Sequence, residues 1–492
     1  MEDTKQMESV VLRFECSRKS CLKDVAEIKQ CALRVDKWII TTGGPVIDHI
    51  LQEHPDDDSL NDSTAKLRPL TNSYGITPSL LISRGDFFER QLLQVAYVYK
   101  DEKLMLILNK IMKGADKRIS LLTGIFTGNL NKKIFALSHY IYLRNEAGVD
   151  TSPPKPLFAK QIAVGQQLVA LSTPFSAITL HNSWSQGTIC NILDGYVALT
   201  DIKITIGCEG APVFTLDNGN IGDLVGLMLG NLIYPNGDLV GLNFMSLPAS
   251  FISSELPIFT SSQSYFLKSS FDDQGLEDRE CFVQILLHNV WGSGTIISKD
   301  GLILTCSHLV KYGAIKSDLQ VKVRNRLYAA RVVFSTPYGH LYELAVLKIT
   351  YTLLDSYPGV PICLRSSAGI LGEEVFAVGY SLFEGSKKPC VTRGIVSKLA
   401  QHSIITTCYV NKGASGGAVV DRNGQLLGLI ISNVRTKESV FPNVNVNVAV
   451  YSFRTSLEKF IETRDVRHLR DWDISVSEDA AILSSGTLKS KF

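Results

Sequence analysis

The sequence predicts an all-β protein in which one architecture occurs twice. Two observations lead there. Short apolar runs meet at glycine-containing turns, and the order of those runs in the second half repeats an order already present in the first.

In the first half, Lys37-Trp38-Ile39-Ile40-Thr41-Thr42-Gly43-Gly44 parallels residues 301–308, with Thr41 opposite Thr305 and Gly44 where His308 stands. Ile134-Phe135-Ala136-Leu137 falls near the place that Glu343 holds in the second half. Gly165-Gln166-Gln167-Leu168-Val169-Ala170 parallels Gly372-Glu373-Glu374-Val375-Phe376-Ala377. Gly207-Cys208-Glu209-Gly210-Ala211-Pro212-Val213-Phe214 parallels residues 413–420 and sets Glu209 at the place of Ser415. Both copies then enter an Asn-Gly turn (Asn218-Gly219, Asn423-Gly424) and a glycine-led apolar strand, 226–229 and 428–431. From Gly44 to Glu209 is 165 residues and from His308 to Ser415 is 107, so the first copy carries 58 more, assigned mostly before Ile134 and within about residues 47–130. The acidic stretch Glu53-His54-Pro55-Asp56-Asp57-Asp58-Ser59 reads as a solvated loop in that insertion.

Residues 253–280, rich in Ser, Asp and Glu, read as a linker, which divides the chain into domains at 1–252 and 281–465 with a tail at 466–492. The second half opens on Trp291-Gly292-Ser293-Gly294-Thr295-Ile296-Ile297-Ser298. Across Lys299-Asp300-Gly301 this run meets Leu302-Ile303-Leu304-Thr305-Cys306-Ser307-His308, and two apolar runs at an Asp-Gly turn make a hairpin. Glu343 opens a further apolar strand, Leu344-Ala345-Val346-Leu347-Lys348-Ile349. Residues 443–448 alternate Asn and Val and are expected to line a cleft, and 453–463 has helical spacing.

Composition sets outer bounds. The 492 residues suffice for two or more domains, and 45% hydrophobic and 20% charged residues are ordinary for globular chains. A net charge of +2 argues against a nucleic-acid binder. The start, residues 1–6, leads into no long apolar run, so no secretory signal is expected. The strongly apolar stretches, such as 104–112, are short and interrupted, so no membrane span is expected. Ten cysteines are scattered without paired metal spacing. Free, mostly buried thiols are the expectation, with no metal, no cofactor and no disulfide framework.

The chemistry gathers at Asn411-Lys412-Gly413-Ala414-Ser415-Gly416-Gly417. Glycines around a serine clear the path of an approaching carbonyl, and they let the Gly413 and Ser415 N–H groups point at one oxyanion. His308, Glu343 and Ser415 follow one another in an order known for the histidine–acid–serine triad, at spacings of 35 and 72 positions. The remaining histidines, His340 near Glu343 among them, lack such company and read as structural or surface residues.

These segments resemble the trypsin-like serine proteases, and more closely their HtrA/Deg branch: a Gly-Ser-Gly strand, Thr-x-x-His, an acid-Leu-Ala strand and Gly-x-Ser-Gly-Gly occur in that order. One departure is plain, since the family's acid is aspartate and this chain has Glu343. The resemblance implies two double β-barrel domains in tandem, the first without the three catalytic side chains. It implies that Ser415 is the nucleophile, His308 the base and Glu343 its orienting acid, with Tyr409, Ser432 and Asn433 shaping the primary specificity pocket. No acid is evident at that pocket, so a preference for Arg or Lys is not expected. Only 29 residues follow Thr463, too few for the PDZ domain common in that branch.

The chain end, Ser490-Lys491-Phe492, resembles the Ser-Lys-Leu peroxisomal address with phenylalanine in the last place. With the doubled architecture, it resembles the peroxisomal Deg-type processing proteases. That implies a matrix endopeptidase that removes N-terminal presequences, processes imported proteins such as fatty-acid β-oxidation enzymes, and cleaves itself. The implied partners are presequence-bearing substrates, an import receptor reading residues 490–492, and further copies of the chain. Two other readings fit the same residues: a pseudoprotease scaffold, and a cytosolic HtrA-like protease.

Overall fold

A computed structural model describes residues 9–17, 25–35, 38–53, 67–68, 76–84, 87–115, 119–122, 129–144, 158–159, 161–235, 237–252, 279–287, 290–311, 319–323, 325–337, 340, 342–350, 360–435 and 440–473. The chain is mostly β and divides into two compact units, Met1–Lys113 with Arg118–Ser270 and Phe271–Phe492 with Gly114–Lys117. Most of the 253–280 linker, the 54–59 acidic stretch and the 490–492 tripeptide lie outside the described residues.

The first unit starts with β1 (Ser9–Ser17), β2 (Val25–Val35), β3 (Trp38–Thr42), α1 (Gly44–Glu53), β4 (Leu67–Arg68), β5 (Ile76–Arg84), β6 (Phe87–Leu92) and β7 (Gln94–Lys100). It continues through α2 (Glu102–Lys113), β8 (Ser120–Leu122), α3 (Leu130–Leu137) and β9 (His139–Arg144). Then come β10 (Gln167–Ser172), β11 (Ser183–Leu193), β12 (Val197–Thr200), β13 (Pro212–Asp217), β14 (Asn220–Ile233), β15 (Leu239–Ser246) and α4 (Pro248–Phe251).

The second unit holds β16 (Phe282–Leu287), β17 (Val290–Ile296), β18 (Leu302–Cys306), α5 (Ser307–Lys311), β19 (Leu319–Val323), β20 (Arg326–Ser335) and β21 (Leu344–Thr350). It ends with β22 (Glu374–Gly379), β23 (Cys390–Leu399), β24 (Ser403–Thr406), β25 (Ala418–Val420), β26 (Leu426–Arg435), β27 (Val440–Ala449) and α6 (Val450–Thr463).

In the second unit two six-stranded antiparallel barrels close, β16-β17-β18-β21-β20-β19 and β22-β23-β24-β27-β26-β25. Alternation fills them: inward residues such as Val283, Ile285, Ile303 and Leu347 are fully buried in the first, and Val375, Val396, Val419 and Ile430 in the second. β20 serves both neighbours, pairing β19 along its first half and β21 along most of its length. Helix α6 buries Val450, Phe453, Leu457 and Phe460, one stripe at helical spacing, and stops at Arg464 in the left-handed region, φ 61°. Past it, Trp472 is buried against Phe334 and Phe453 and donates Nε1–H to Ser456 Oγ at 2.7 Å, so residues 466–472 pack with this unit.

The first unit follows the same connections. β13-β10-β11-β12-β15-β14 closes on itself through β13–β14, with β8 added beside β14. In the other sheet, β1, β2, β3 and β9 pair as β16, β17, β18 and β21 do. β6 and β7 are one run broken only at Leu93; β6 pairs β5 and β7 pairs β9, which are the two tasks of β20.

One expectation is corrected by register. Ile134 to Leu137 lies in α3, not at a strand's entrance. The β3–β9 pairs Thr41–Ile141 and Thr42–Tyr140 match Thr305–Ala345 and Cys306–Leu344, and Gly43 N donates to His139 O as Ser307 N does to Glu343 O. The counterpart of Glu343 is therefore His139. The extra residues all precede it, because the spacing from His139 to Glu209 is close to that from Glu343 to Ser415.

Candidate active site

Ser415 sits in the loop that enters β25. Gly413 and Gly416 have φ of 93° and 80°, a region L side chains avoid, and space is closed as well. A Cβ on Gly413 would lie 2.2 Å from Trp291 Nε1, and one on Gly416 2.1 Å from Thr305 Oγ1. Gly416 N donates to Ile430 O and Ile430 N to Gly417 O, which pins the loop to β26. From the other barrel, Ser293 N donates to Ser415 O at 2.9 Å and Ser293 Oγ donates to Gly413 O at 2.7 Å, while Tyr380 N donates to Ser293 Oγ at 2.8 Å. Thr305 Oγ1 then fixes Ser293 O at 2.8 Å. Ser293, Thr305 and Trp291, whose Nε1–H goes to Tyr380 O, are the clamp of this loop. Their motifs are visible in the sequence, but the roles come from tertiary contacts, 89 residues apart for Trp291 and Tyr380 and 120 for Ser293 and Gly413. Among the described residues the Gly413 and Ser415 N–H groups meet no protein acceptor.

His308 is placed by a junction. β18 ends at Cys306 and the short α5 begins at once, while Glu343 precedes β21, the strand beside β18. That register brings His308 Nδ1 to 2.8 Å from Glu343 Oε2, with Glu343 5% exposed. The other ring nitrogen, Nε2, lies 3.5 Å from Cys306 Sγ. Burial lowers the proton affinity of His308, but Cys306 and Glu343 more than offset it and push its pKa up to about 11. The Ser415 hydroxyl donates to Ile431 O at 3.2 Å and not to His308. A bulge between Ile430 and Ser432 takes Ile431 out of the β26–β27 ladder and leaves that carbonyl available. Next to Glu343, the buried Tyr342 bonds His402 Nδ1 at 2.9 Å and Ser452 O at 3.2 Å. His340 Nδ1 is 2.9 Å from an Asp473 carboxylate oxygen, away from the pair.

The pocket candidates are drawn together by amides. Asn433 Nδ2 donates to Val410 O at 2.6 Å, next to Tyr409, whose own carbonyl accepts from Thr392 Oγ1 at 2.8 Å. Asn445 Nδ2 donates to Asn433 Oδ1 and Pro442 O; Thr406 Oγ1 donates to Asn445 Oδ1, and Asn447 Nδ2 to Thr406 Oγ1. Ser432 is half-buried, and its Oγ has no partner among the described residues. The alternating asparagines were expected to line the cleft. Asn445 and Asn447 are instead fully buried, because a closed barrel turns alternate residues inward; their Nδ2 groups donate to Asn433 Oδ1, Pro442 O, Ile404 O and Thr406 Oγ1, while Asn447 Oδ1 has no partner among the described residues.

The first unit repeats the loop without its chemistry. Gly207 and Gly210 have φ of 90° and 78°, Cys31 N donates to Glu209 O at 3.0 Å, and Thr41 Oγ1 donates to Cys31 O at 2.7 Å. Glu209 thus stands at the Ser415 position, and its Oε2 accepts from Gly207 N at 2.8 Å. The N–H that corresponds to Gly413 is occupied by the chain's own carboxylate. Cys31, Cys190, Cys208, Cys281, Cys306, Cys363, Cys390 and Cys408 form no disulfide.

Residues 292–429 match the family described as the trypsin-like peptidase domain, a span that holds His308, Glu343, Ser415 and the clamp residue Ser293. The second unit thus carries a trypsin-like peptidase domain. The chain is 29% identical over 339 residues to the peroxisomal leader peptide-processing protease of Homo sapiens, covering 63% of this chain and 58% of that protein. It is 29% identical over 233 residues to the serine endoprotease DegS of Haemophilus influenzae, covering 44% of this chain and 62% of that one. A serine endoprotease structure from Yersinia pestis aligns with 25% identity and a TM-score of 0.32, over 38% of this chain and 65% of its own. The chain therefore spans less than two thirds of the length of these relatives. No described helix is long and apolar enough to cross a membrane.

Proposed function

We propose that the chain is a serine endopeptidase in which Ser415 attacks the scissile carbonyl. His308 takes the Ser415 proton at Nε2 and returns it to the leaving amine, and Glu343 holds Nδ1–H and stabilises the charged ring. The Gly413 and Ser415 N–H groups receive the oxyanion, a contribution of roughly 3–4 kcal/mol per donor in comparable sites. The observation that carries the reading is the 2.8 Å bond from His308 Nδ1 to buried Glu343, which leaves Nε2 as the ring's basic position. The first unit is a silent copy, with Gly44, His139 and Glu209 at the three positions.

The substrate reading rests on the human relative's name, a leader peptide-processing protease of the peroxisome. By that likeness the chain removes N-terminal presequences in the peroxisomal matrix, processes imported enzymes such as those of fatty-acid β-oxidation, cleaves itself and associates with further copies. Residues 490–492 engage the import receptor. The rival reading is a binding scaffold, favoured by one observation: the Ser415 hydroxyl is on Ile431 O and not on His308. Full-length protein and its Ser415→Ala form, incubated with peroxisomal precursors, decide between them when the new N-termini are sequenced. Cleavage by the parent and none by Ser415→Ala is expected; equal cleavage by both refutes the assignment.

A further inference from the structure

We infer that Cys306 is a positioning residue of this site: its thiol holds Nε2 of His308 in the resting state and competes with the Ser415 hydroxyl for that nitrogen. The inference rests on the serine-peptidase reading and adds a side chain that reading does not use.

The geometry leaves little choice. Nδ1 is committed to Glu343 Oε2 at 2.8 Å, so Nε2 alone can accept the Ser415 proton. That nitrogen faces Cys306 Sγ at 3.5 Å, while Ser415 Oγ donates to Ile431 O at 3.2 Å. Cys306 is the last residue of β18 and fully buried, held opposite Leu344 by the ladder. His308, two residues on, lies in the only turn of α5, and the ring returns over the end of its own strand. Packing accounts for a buried thiol, but gives no reason for one at the nitrogen the chemistry needs.

The balance is internal. Transfer of the thiol proton to Nε2 gives a thiolate and an imidazolium with no change in total charge and no other reactant, as in a cysteine–histidine pair. In that form Nε2 has no lone pair for the Ser415 proton. Returning the proton to Sγ and turning Ser415 Oγ from Ile431 O to Nε2 restores the base. An N–H of an extended peptide added beside β26 would take the Ile431 carbonyl and release the serine hydroxyl. Two side chains act on His308, Cys306 from β18 and Glu343 from the entrance of β21. Of the other titratable or charged groups on the elements packed against α5, Arg326 and Arg331 on β20 are exposed, Tyr328 on β20 is buried, Lys348 on β21 is paired with Asp300, and Lys311 follows on α5. The raised proton affinity of His308 accords with its two acidic neighbours.

The test uses full-length parent, Cys306→Ala, Cys306→Ser and Ser415→Ala. Fluorophosphonate labelling rate and kcat/KM on a peptide are followed against pH, and the His308 titration by NMR of 15N-histidine-labelled protein. Neither alanine nor serine can give Nε2 the proton that the thiol transfers, so both Cys306 variants should move the acid limb and the His308 titration down by about one unit or more. That shift should raise labelling at neutral pH by about tenfold, with KM unchanged. Cys306→Ser, nearly the same shape, guards against misfolding of the alanine form. An acid limb and a His308 titration that stay in place, or rise, in both variants overturn the inference. A parent that shows no labelling at any pH refutes the peptidase reading instead, and the NMR titration then still decides the role of Cys306.

Discussion

Replacing Glu343 by Gln keeps the shape of the side chain and removes one charge from a bond of 2.8 Å to His308 Nδ1. With charge centres about 4 Å apart and an effective dielectric of about 20, the carboxylate stabilises the imidazolium by roughly 4 kcal/mol. That is about three decades in rate. An amide also favours the wrong ring tautomer, so the expected loss in kcat is on the order of 10⁴. Glu343→Asp withdraws the oxygen by about 1.5 Å, one carbon–carbon bond, which takes the contact past hydrogen-bonding distance and should cost activity as well. Turnover of a peptide by purified full-length variants measures both. The pH sign follows from the raised His308 pKa. The stability that comes from protonating His308 in the fold is fully present below its ordinary value of about 6.5 and is lost as pH rises toward about 11. The melting temperature of Glu343→Gln should therefore fall most near pH 6 and approach the parent's at higher pH. A Gln variant within about tenfold of the parent would refute the assignment of Glu343 as the orienting acid, whereas an Asp variant more active than the parent would show that the site accommodates glutamate poorly.

Three further outcomes are expected. Gly413→Ala must place a methyl 2.2 Å from Trp291 Nε1 at a φ of 93°, so turnover should drop by about 10² or more as the oxyanion donor moves, with a lower melting temperature; parental kinetics would contradict this. Trp472→Ala removes a fully buried ring and should cost about 3–5 kcal/mol in urea unfolding of the second unit, and a change under about 1 kcal/mol would show that residues 466–472 do not belong to its core. Glu209→Ser should lower the melting temperature, because Gly207 N–H loses its acceptor, and in a Ser415→Ala background it should gain no fluorophosphonate labelling, since Gly44 and His139 supply no base and acid.

Much of the site was legible because its residues carry local constraints. Glycines at 413 and 416 are forced by backbone conformation and contact, and Thr305 and Ser293 recur in motifs whose partners are also motifs. The acid's counterpart in the first unit was not legible. The inserted helices and strands place Ile134 at the expected distance along the chain, whereas the β3–β9 register puts His139 there in space. The asparagine alternation marked a strand, and only barrel closure decided that Asn445 and Asn447 face inward.

By itself the sequence determined the duplicated strand order, the turn positions and the residue types available for acyl-transfer chemistry, since period and glycine placement act over a few residues. The tertiary structure decided which atoms meet. His308 reaches Glu343 through the β18–β21 register, the Gly207 N–H is filled by Glu209, and His308 Nε2 faces Cys306 while the Ser415 hydroxyl turns to Ile431. Such partnerships depend on a hydrogen-bond ladder, a bulge and one side-chain rotation, none of which a local pattern of residues encodes.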